Sequence, residues 1–141
     1  MREIEFRGRT AKGEWVYGYH AKFRNYKNEV YSAIIPKDEE TDEGYMDDLH
    51  PVIPETVGQY VGIKDKNRKK IFEGDILVFC KGATYPYQIE WDGMGWKLYR
   101  SDGKRIKEAF ECNEIHYVNI SEVIGNIHDN PELLEVEVCR M

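Results

Sequence analysis

Short runs of alternating apolar and polar residues, separated by glycine or proline, constrain the fold of this chain more than any other feature. The clearest example is Tyr87–Trp91 (YQIEW), which is followed by the turn sequence DGMG and by the alternating run Trp96–Tyr99 (WKLY). A period of two places successive side chains on opposite faces of an extended strand. These residues therefore predict a β-hairpin.

The same pattern recurs along most of the chain. It predicts further strands at Glu3–Arg7, Trp15–Tyr19, Glu29–Ile35, Val57–Ile63, Lys69–Phe72, Ile76–Phe79 and Glu122–Ile127, with a last strand around Val136 and Val138. Two segments favour helix instead: Lys104–Glu111, whose apolar residues fall at helical spacing, and Asp129–Leu134, where Asn130 precedes Pro131 as a cap. The predicted class is mainly β, with antiparallel sheets, a small barrel-like part and one or two short helices.

Length and composition favour one globular domain. A chain of 141 residues can bury about two thirds of its unfolded surface around a single core. We therefore predict one domain over residues 1–141, which would divide, if at all, into an N-terminal sheet portion at 1–53 and a barrel-like portion at 54–141. A hydrophobic fraction of 41% with 13% aromatic residues excludes a wholly disordered chain.

The same composition argues for a cytoplasmic protein that does not enter a membrane. No apolar run approaches the roughly 20 residues of a membrane-spanning helix, and the start MREIEFRGRT lacks the apolar core of a signal peptide. The three cysteines, Cys80, Cys112 and Cys139, are odd in number and far apart. That spacing favours reduced thiols in a reducing compartment.

The chain carries no recognised catalytic or metal-binding motif. The Cys112-x-x-x-His116 pair supplies two of the four ligands that a structural zinc requires. We therefore predict no catalytic residues, no cofactor, no metal and no enzymatic activity. Glu73 and Asp75, on either side of Gly74, allow two interpretations. They could form a carboxylate pair for acid–base chemistry, or they could brace a sharp corner through backbone N–H groups, which is the favoured interpretation.

Two charged segments of opposite sign suggest binding. Seven of the eleven residues from Asp38 to Asp48 are acidic, which predicts an exposed, mobile loop. Five cations then fall within seven residues at the end of a predicted hairpin, near the aromatic Tyr60: Lys64, Lys66, Arg68, Lys69 and Lys70. With a net charge of −6, the whole surface cannot attract phosphates, but this patch could do so locally.

Three interpretations of the basic patch stay open. It could bind phosphates, with Tyr60 as a stacking surface. It could meet the acidic segment of another copy in a homo-oligomer. It could also be an ordinary charged hairpin end that discourages aggregation.

Four motifs follow one another along the chain: MREIEFRG, GEWVYGY, the central stretch PETVGQYVGIKDKNRKKIFEGDI and EVIGNIHDNPELL. Together they resemble the YopX family of phage and prophage proteins. Arg68 departs from the family pattern, because the turn usually has glycine there. Since a left-handed Arg costs on the order of 1 kcal/mol, we expect either that Asn67 adopts that conformation or that the turn changes type.

The resemblance implies a mainly β fold and a phage or prophage origin, and it carries over no activity. Our leading hypothesis is a non-enzymatic binding or assembly protein that forms a homo-oligomer. The alternatives are a small β-barrel that binds nucleic acid through the basic hairpin end, and an acidic DNA mimic that inhibits a host protein through residues 38–48.

Overall fold

A computed structural model confirms the mainly β class. It describes residues 3–38, 41, 43–44, 48–79, 82–84, 86–91, 93–101, 106–111, 121–135 and 138–140. Within these residues, all paired strands run antiparallel. The strands are β1 (Phe6–Arg9), β2 (Trp15–Arg24), β3 (Val30–Ile35), β4 (His50–Val52), β5 (Gly58–Lys64), β6 (Lys70–Phe72), β7 (Asp75–Phe79), β8 (Gly82–Thr84), β9 (Tyr87–Trp91), β10 (Trp96–Ser101), β11 (Ile106–Glu111), β12 (Ser121–Asn126) and β13 (Val138–Arg140).

The chain forms two compact units, Met1–Tyr60 and Val61–Met141. In the first unit the strands lie in the order β4-β3-β2-β1 and then the start of β5. Its buried side chains include Ala33, Ile34 and Val52. Strand β5 begins in this unit and ends in the second. The prediction of one domain with portions 1–53 and 54–141 stays a prediction.

The second unit contains a five-stranded sheet in the order β11-β10-β9-β7-β12, the pair β13-β8, and the end of β5 paired with β6. Among the described residues this sheet has β11 and β12 as edge strands and is not closed into a barrel. Its core is a single apolar cluster formed by Val61, Ile71, Leu77, Tyr87, Ile89 and Leu98. Strand β9 supplies two alternate residues, Tyr87 and Ile89, as the period of two requires, and each of the other strands supplies one.

The helix predicted over Lys104–Glu111 is wrong. Residues Ile106–Glu111 form strand β11, which pairs with β10 from Lys97↔Glu111 to Ser101↔Ile106 across a register shift. A helix of two turns is marginal because its nucleation is costly, whereas the neighbouring strand supplies backbone hydrogen-bond partners. The short helical turn predicted near Asn130 is confirmed as the 3-10 turn Pro131–Glu135.

Three other elements were not predicted: β4, β8 and the 3-10 turn Pro54–Thr56. Each spans three residues, too few to show a periodic pattern. No helix among the residues described has the length and hydrophobicity needed to cross a bilayer.

The acidic segment is only partly described. Residues 39, 40, 42 and 45–47 lie outside the described residues. Asp38, Glu43 and Asp48 are exposed, as predicted. The Asp38 amide donates to the Glu43 carbonyl at 2.6 Å, and Lys37 forms an isolated bridge with Gly44.

Candidate functional site

The five predicted cations lie around the end of the β5–β6 hairpin, and we call them the basic tip (Lys64, Lys66, Arg68, Lys69 and Lys70). Lys64 ends β5, Lys70 begins β6, and the other three cations lie in the connecting turn. Lys70 is partly buried and the remaining four are exposed. The hairpin therefore concentrates positive charge at one end of two short strands.

A buried carboxylate holds this turn. Asp65 is 4% exposed. Its Oδ1 accepts hydrogen bonds from the backbone amides of Asn67 (2.8 Å) and Lys69 (2.9 Å). The backbone closes the same turn, because the Asp65 amide donates to the Lys69 carbonyl at 2.8 Å and the Arg68 amide donates to the Asp65 carbonyl at 3.0 Å. Side chains of Asp commonly fix turns in this way.

The same carboxylate attaches the turn to an edge strand of the five-stranded sheet. Asp65 Oδ2 accepts a hydrogen bond from the Val123 amide at 3.0 Å, across 58 residues of sequence. Beside it, the Lys66 amide donates to the Ser121 carbonyl at 3.0 Å. Two bonds from successive residues of the turn thus reach β12, and the basic tip is anchored at its base.

The conformation of Arg68 corrects both expectations for this turn. Arg68 itself adopts a left-handed φ of 65°. The left-handed residue is therefore not Asn67, and the turn keeps at position 68 the conformation for which glycine is usual. The bonds made by Asp65 on either side supply the compensation for this strain. The guanidinium stays exposed at the end of the hairpin.

Tyr60 is buried, with 7% of its surface exposed. It belongs to the first compact unit, whereas the five cations belong to the second. A ring this deeply covered offers almost no face to a nucleobase. The role of Tyr60 as a stacking surface stays a prediction, and the burial of its ring does not favour that role.

The two acids of the Glu73-Gly74-Asp75 corner have different surroundings. Asp75 is 1% exposed, and its Oδ2 accepts a hydrogen bond from the Phe72 amide at 2.7 Å. Gly74 has a φ of 89°, a conformation that suits glycine. The bracing interpretation therefore describes Asp75 correctly.

Glu73 differs from Asp75, because its carboxyl group influences the ionisation of Glu90 on β9. Burial first, then the charge of Glu73 and hydrogen bonding with its side chain, raise the pKa of Glu90 from 4.5 to about 7. The bond from the Gly74 amide to the Ile89 carbonyl, at 2.8 Å, brings the two segments together. Sequence reasoning missed Glu90 because only strand packing places it beside the corner.

Among the residues described, no group of three or more His, Cys, Asp or Glu side chains is arranged to hold a metal ion. Cys80, Cys112 and His116 lie outside the described residues.

Comparison with known proteins agrees with the fold and with the motifs. The family model described as YopX protein matches residues 5–135. The crystal structure of protein EF1440 from Enterococcus faecalis is similar over 96% of this chain and 100% of that chain, with 25% sequence identity and a TM-score of 0.56. A search of functionally curated proteins found no match. Because the family model spans nearly the whole sequence, this chain belongs to the YopX family.

Proposed function

We propose that this protein is a non-enzymatic binding protein of phage or prophage origin that contacts the phosphate backbone of nucleic acid through its basic tip. The observation that carries the proposal is the set of four exposed cations around a turn that Asp65 holds in place. A preformed turn lowers the conformational entropy lost when its side chains meet a ligand. The cytoplasm is the proposed compartment, in keeping with the three widely spaced cysteines.

The charge of the tip sets the kind of binding expected. Each Lys or Arg that neutralises a phosphate releases condensed counterions, so affinity falls steeply with salt. Engagement of four or five cations gives a slope of log K against log salt of about −3.6 to −4.5 on double strands and about −2.8 to −3.5 on single strands. Since Tyr60 is buried, it supplies no stacking surface, and phosphate charge should determine binding at the tip. Double strands, which have the higher charge density, should therefore bind at least as tightly as single strands. The net charge of −6 weakens binding by any other part of the surface.

Charge reversal at the tip tests the proposal. We expect Lys66→Glu, Arg68→Glu, Lys69→Glu and Lys70→Glu together to abolish binding of a fluorescein-labelled oligonucleotide, measured by anisotropy at about 50 mM salt, where phosphate contacts are strong. The matched control reverses the same residue types at exposed positions of the first unit: Lys12, Lys22, Arg24 and Lys27. Circular dichroism and thermal melting establish that both variants are folded.

The two variants have the same net charge, so a difference between them isolates the tip. Loss of binding in the tip variant alone supports the proposal. Equal loss in both would indicate a general charge effect, and equal retention would show that the tip binds no phosphate. Either of these results would overturn the proposal.

Self-association is the second candidate function, favoured by the exposed acids Asp38, Glu43 and Asp48 in a chain that also carries the basic tip. Opposite charges on two copies attract, and salt screens that attraction. Light scattering on the same two variants at low and high salt distinguishes this candidate. An assembly joined through the tip would dissociate in the tip variant and in high salt, whereas a monomer under all conditions would rule it out.

A further inference from the structure

Arg68 occupies a backbone position that suits glycine. Its φ of 65° is left-handed, and within the described part of the chain Asn28 is the one other non-glycine residue with a positive φ. Asn tolerates that conformation better than most residues, whereas Arg is strained in it. Strained residues cluster at sites that bind or react. A function for the exposed guanidinium would account for a strained residue at this position.

The turn presents this guanidinium from a fixed backbone, next to other cations. Asp65 Oδ1 accepts from the amides of Asn67 and Lys69, and the Arg68 amide donates to the Asp65 carbonyl at 3.0 Å. Lys66, two residues before Arg68, and Lys69, directly after it, are both exposed. The end of the turn thus carries one guanidinium and two ammonium groups on a preformed backbone.

The base of the basic tip is wide. Three backbone segments meet there, because the Asp65 amide donates to the Lys69 carbonyl at 2.8 Å and the Lys66 amide donates to the Ser121 carbonyl of β12 at 3.0 Å. Segments joined in this way lie about 4.8 Å apart, so three of them span about 10 Å before their side chains are added. The major groove of DNA is about 12 Å wide and the minor groove about 6 Å. Only side chains at the end of the turn can therefore reach base pairs.

The chemistry of an Arg side chain suits the minor groove at A·T base pairs. These pairs present only acceptors there, whereas a G·C pair adds the donor 2-amino group of guanine. A guanidinium has only donors, so it matches the acceptors and not the amino group. A-tracts also have a narrow minor groove with an enhanced negative potential. A guanidinium is more weakly hydrated than an ammonium group, so it enters such a groove more readily than Lys does.

We propose that Arg68 enters the narrow minor groove of A·T-rich duplex DNA, while Lys66 and Lys69 contact the phosphates that line this groove. The inference rests on the proposed function, because it names the nucleic acid and the specificity-determining residue of the same basic tip. Phosphate contacts supply most of the affinity, and the groove contact supplies the selectivity. The minor groove of duplex RNA is wide and shallow, so it does not offer the same contact.

Binding of three labelled duplexes of equal length tests the proposal. Their central pairs are AATT, G·C pairs only, or inosine·C pairs, in which inosine is guanine without its 2-amino group. We expect the parent protein to bind the AATT duplex about 5- to 100-fold more tightly than the G·C duplex, the range of one specific contact. The inosine duplex keeps the major-groove edge of guanine but should bind nearly as tightly as AATT. Inosine binding as weak as that of G·C would overturn the proposal.

Three variants assign the selectivity to one side chain. Arg68→Lys keeps the charge, so the salt slope should stay unchanged while most of the preference for AATT is lost. Arg68→Gly should also lose the preference, with a salt slope smaller by about 0.9. Lys66→Gln is the matched control, because it should reduce the slope by the same amount but weaken binding to all three duplexes alike. A preference kept in folded Arg68→Lys, or lost in Lys66→Gln, would overturn the proposal.

Competition with netropsin, a small molecule that fills the minor groove of A·T tracts, gives a second measurement that needs no variant. It should release the parent protein from the AATT duplex, and continued binding would overturn the proposal. The possible failures are distinguishable. Absence of binding to any duplex would refute the proposed function and this inference with it, whereas equal binding of the AATT and G·C duplexes would refute the role of Arg68 alone.

Discussion

Substitution of Asp65 should weaken the anchoring of the basic tip, and the hydrogen bonds of the Asp65 carboxylate set the expected loss in the free energy of unfolding. The carboxylate accepts from three backbone amides, those of Asn67, Lys69 and Val123. Hydrogen bonds to a charged group are each worth about 1.5–3 kcal/mol. All three bonds are partly buried, but Asn67 and Lys69 are exposed residues, so water can replace the carboxylate at their amides more readily than at Val123, which is half-buried. Asp65→Ala should therefore lower the free energy of unfolding by about 2–4 kcal/mol, well below the sum of three bonds.

Asp65→Asn separates the hydrogen bonds within the turn from the hydrogen bond to Val123. Its amide oxygen can still accept from Asn67 and Lys69, but its NH2 group would face the Val123 amide, and two donors cannot bond to each other. We expect a loss of about 1–3 kcal/mol, smaller than that of the alanine variant. Urea unfolding followed by tryptophan fluorescence measures both, with Glu132→Ala as an exposed control that should match the parent.

The order of the two Asp65 variants is the decisive result. Equal losses for Asp65→Asn and Asp65→Ala would show that the turn bonds contribute nothing. Parent-like stability in both would refute the anchoring of the tip to β12. If the anchored geometry matters for binding, Asp65→Asn should also weaken oligonucleotide binding while leaving every cation in place.

Two further predictions concern backbone geometry and close packing. Arg68→Gly should stabilise the protein by about 0.5–1 kcal/mol in thermal melts, because glycine takes a left-handed φ without strain. Asn28 has a similar φ of 63°, but Asn28→Gly should change stability little, because Asn tolerates that conformation. Equal gains in stability at both positions would contradict this explanation. Gly8→Ala should destabilise the protein by about 1–3 kcal/mol through overpacking, since the new Cβ would lie 2.8 Å from Val52 Cγ2. The double variant Gly8→Ala, Val52→Ala should lose less stability than the sum of the two single variants. Strict additivity of the losses in urea unfolding would contradict the predicted contact.

Local pattern was enough to predict most strands. The hairpin of Tyr87–Trp91 and Trp96–Tyr99 is present with Trp91 opposite Trp96, as the alternation and the intervening turn indicate. The 3-10 turn at Pro131–Glu135 follows from a capping residue and a proline beside each other in the chain. In both cases the interactions that decide the structure lie within a few residues.

Pattern failed where a distant partner decided the conformation. Residues 106–111 have helical spacing but form a strand, because β10 is available to pair with them. Arg68 keeps a left-handed φ that sequence reasoning assigned elsewhere, because Asp65 is held by β12 as well as by its own turn. Neither partner can be read from the local sequence.

The sequence alone determined the mainly β class, the family and the concentration of cations between Lys64 and Lys70, because periodicity, motifs and charge are properties of neighbouring residues. Tertiary structure alone decided that Tyr60 is buried, that Asp65 reaches Val123, and that burial and the charge of Glu73 raise the pKa of Glu90. These features depend on which strands pair and on the depth at which a side chain is then covered. A carboxyl group acquires an altered proton affinity only when folding removes its water and places another charge beside it.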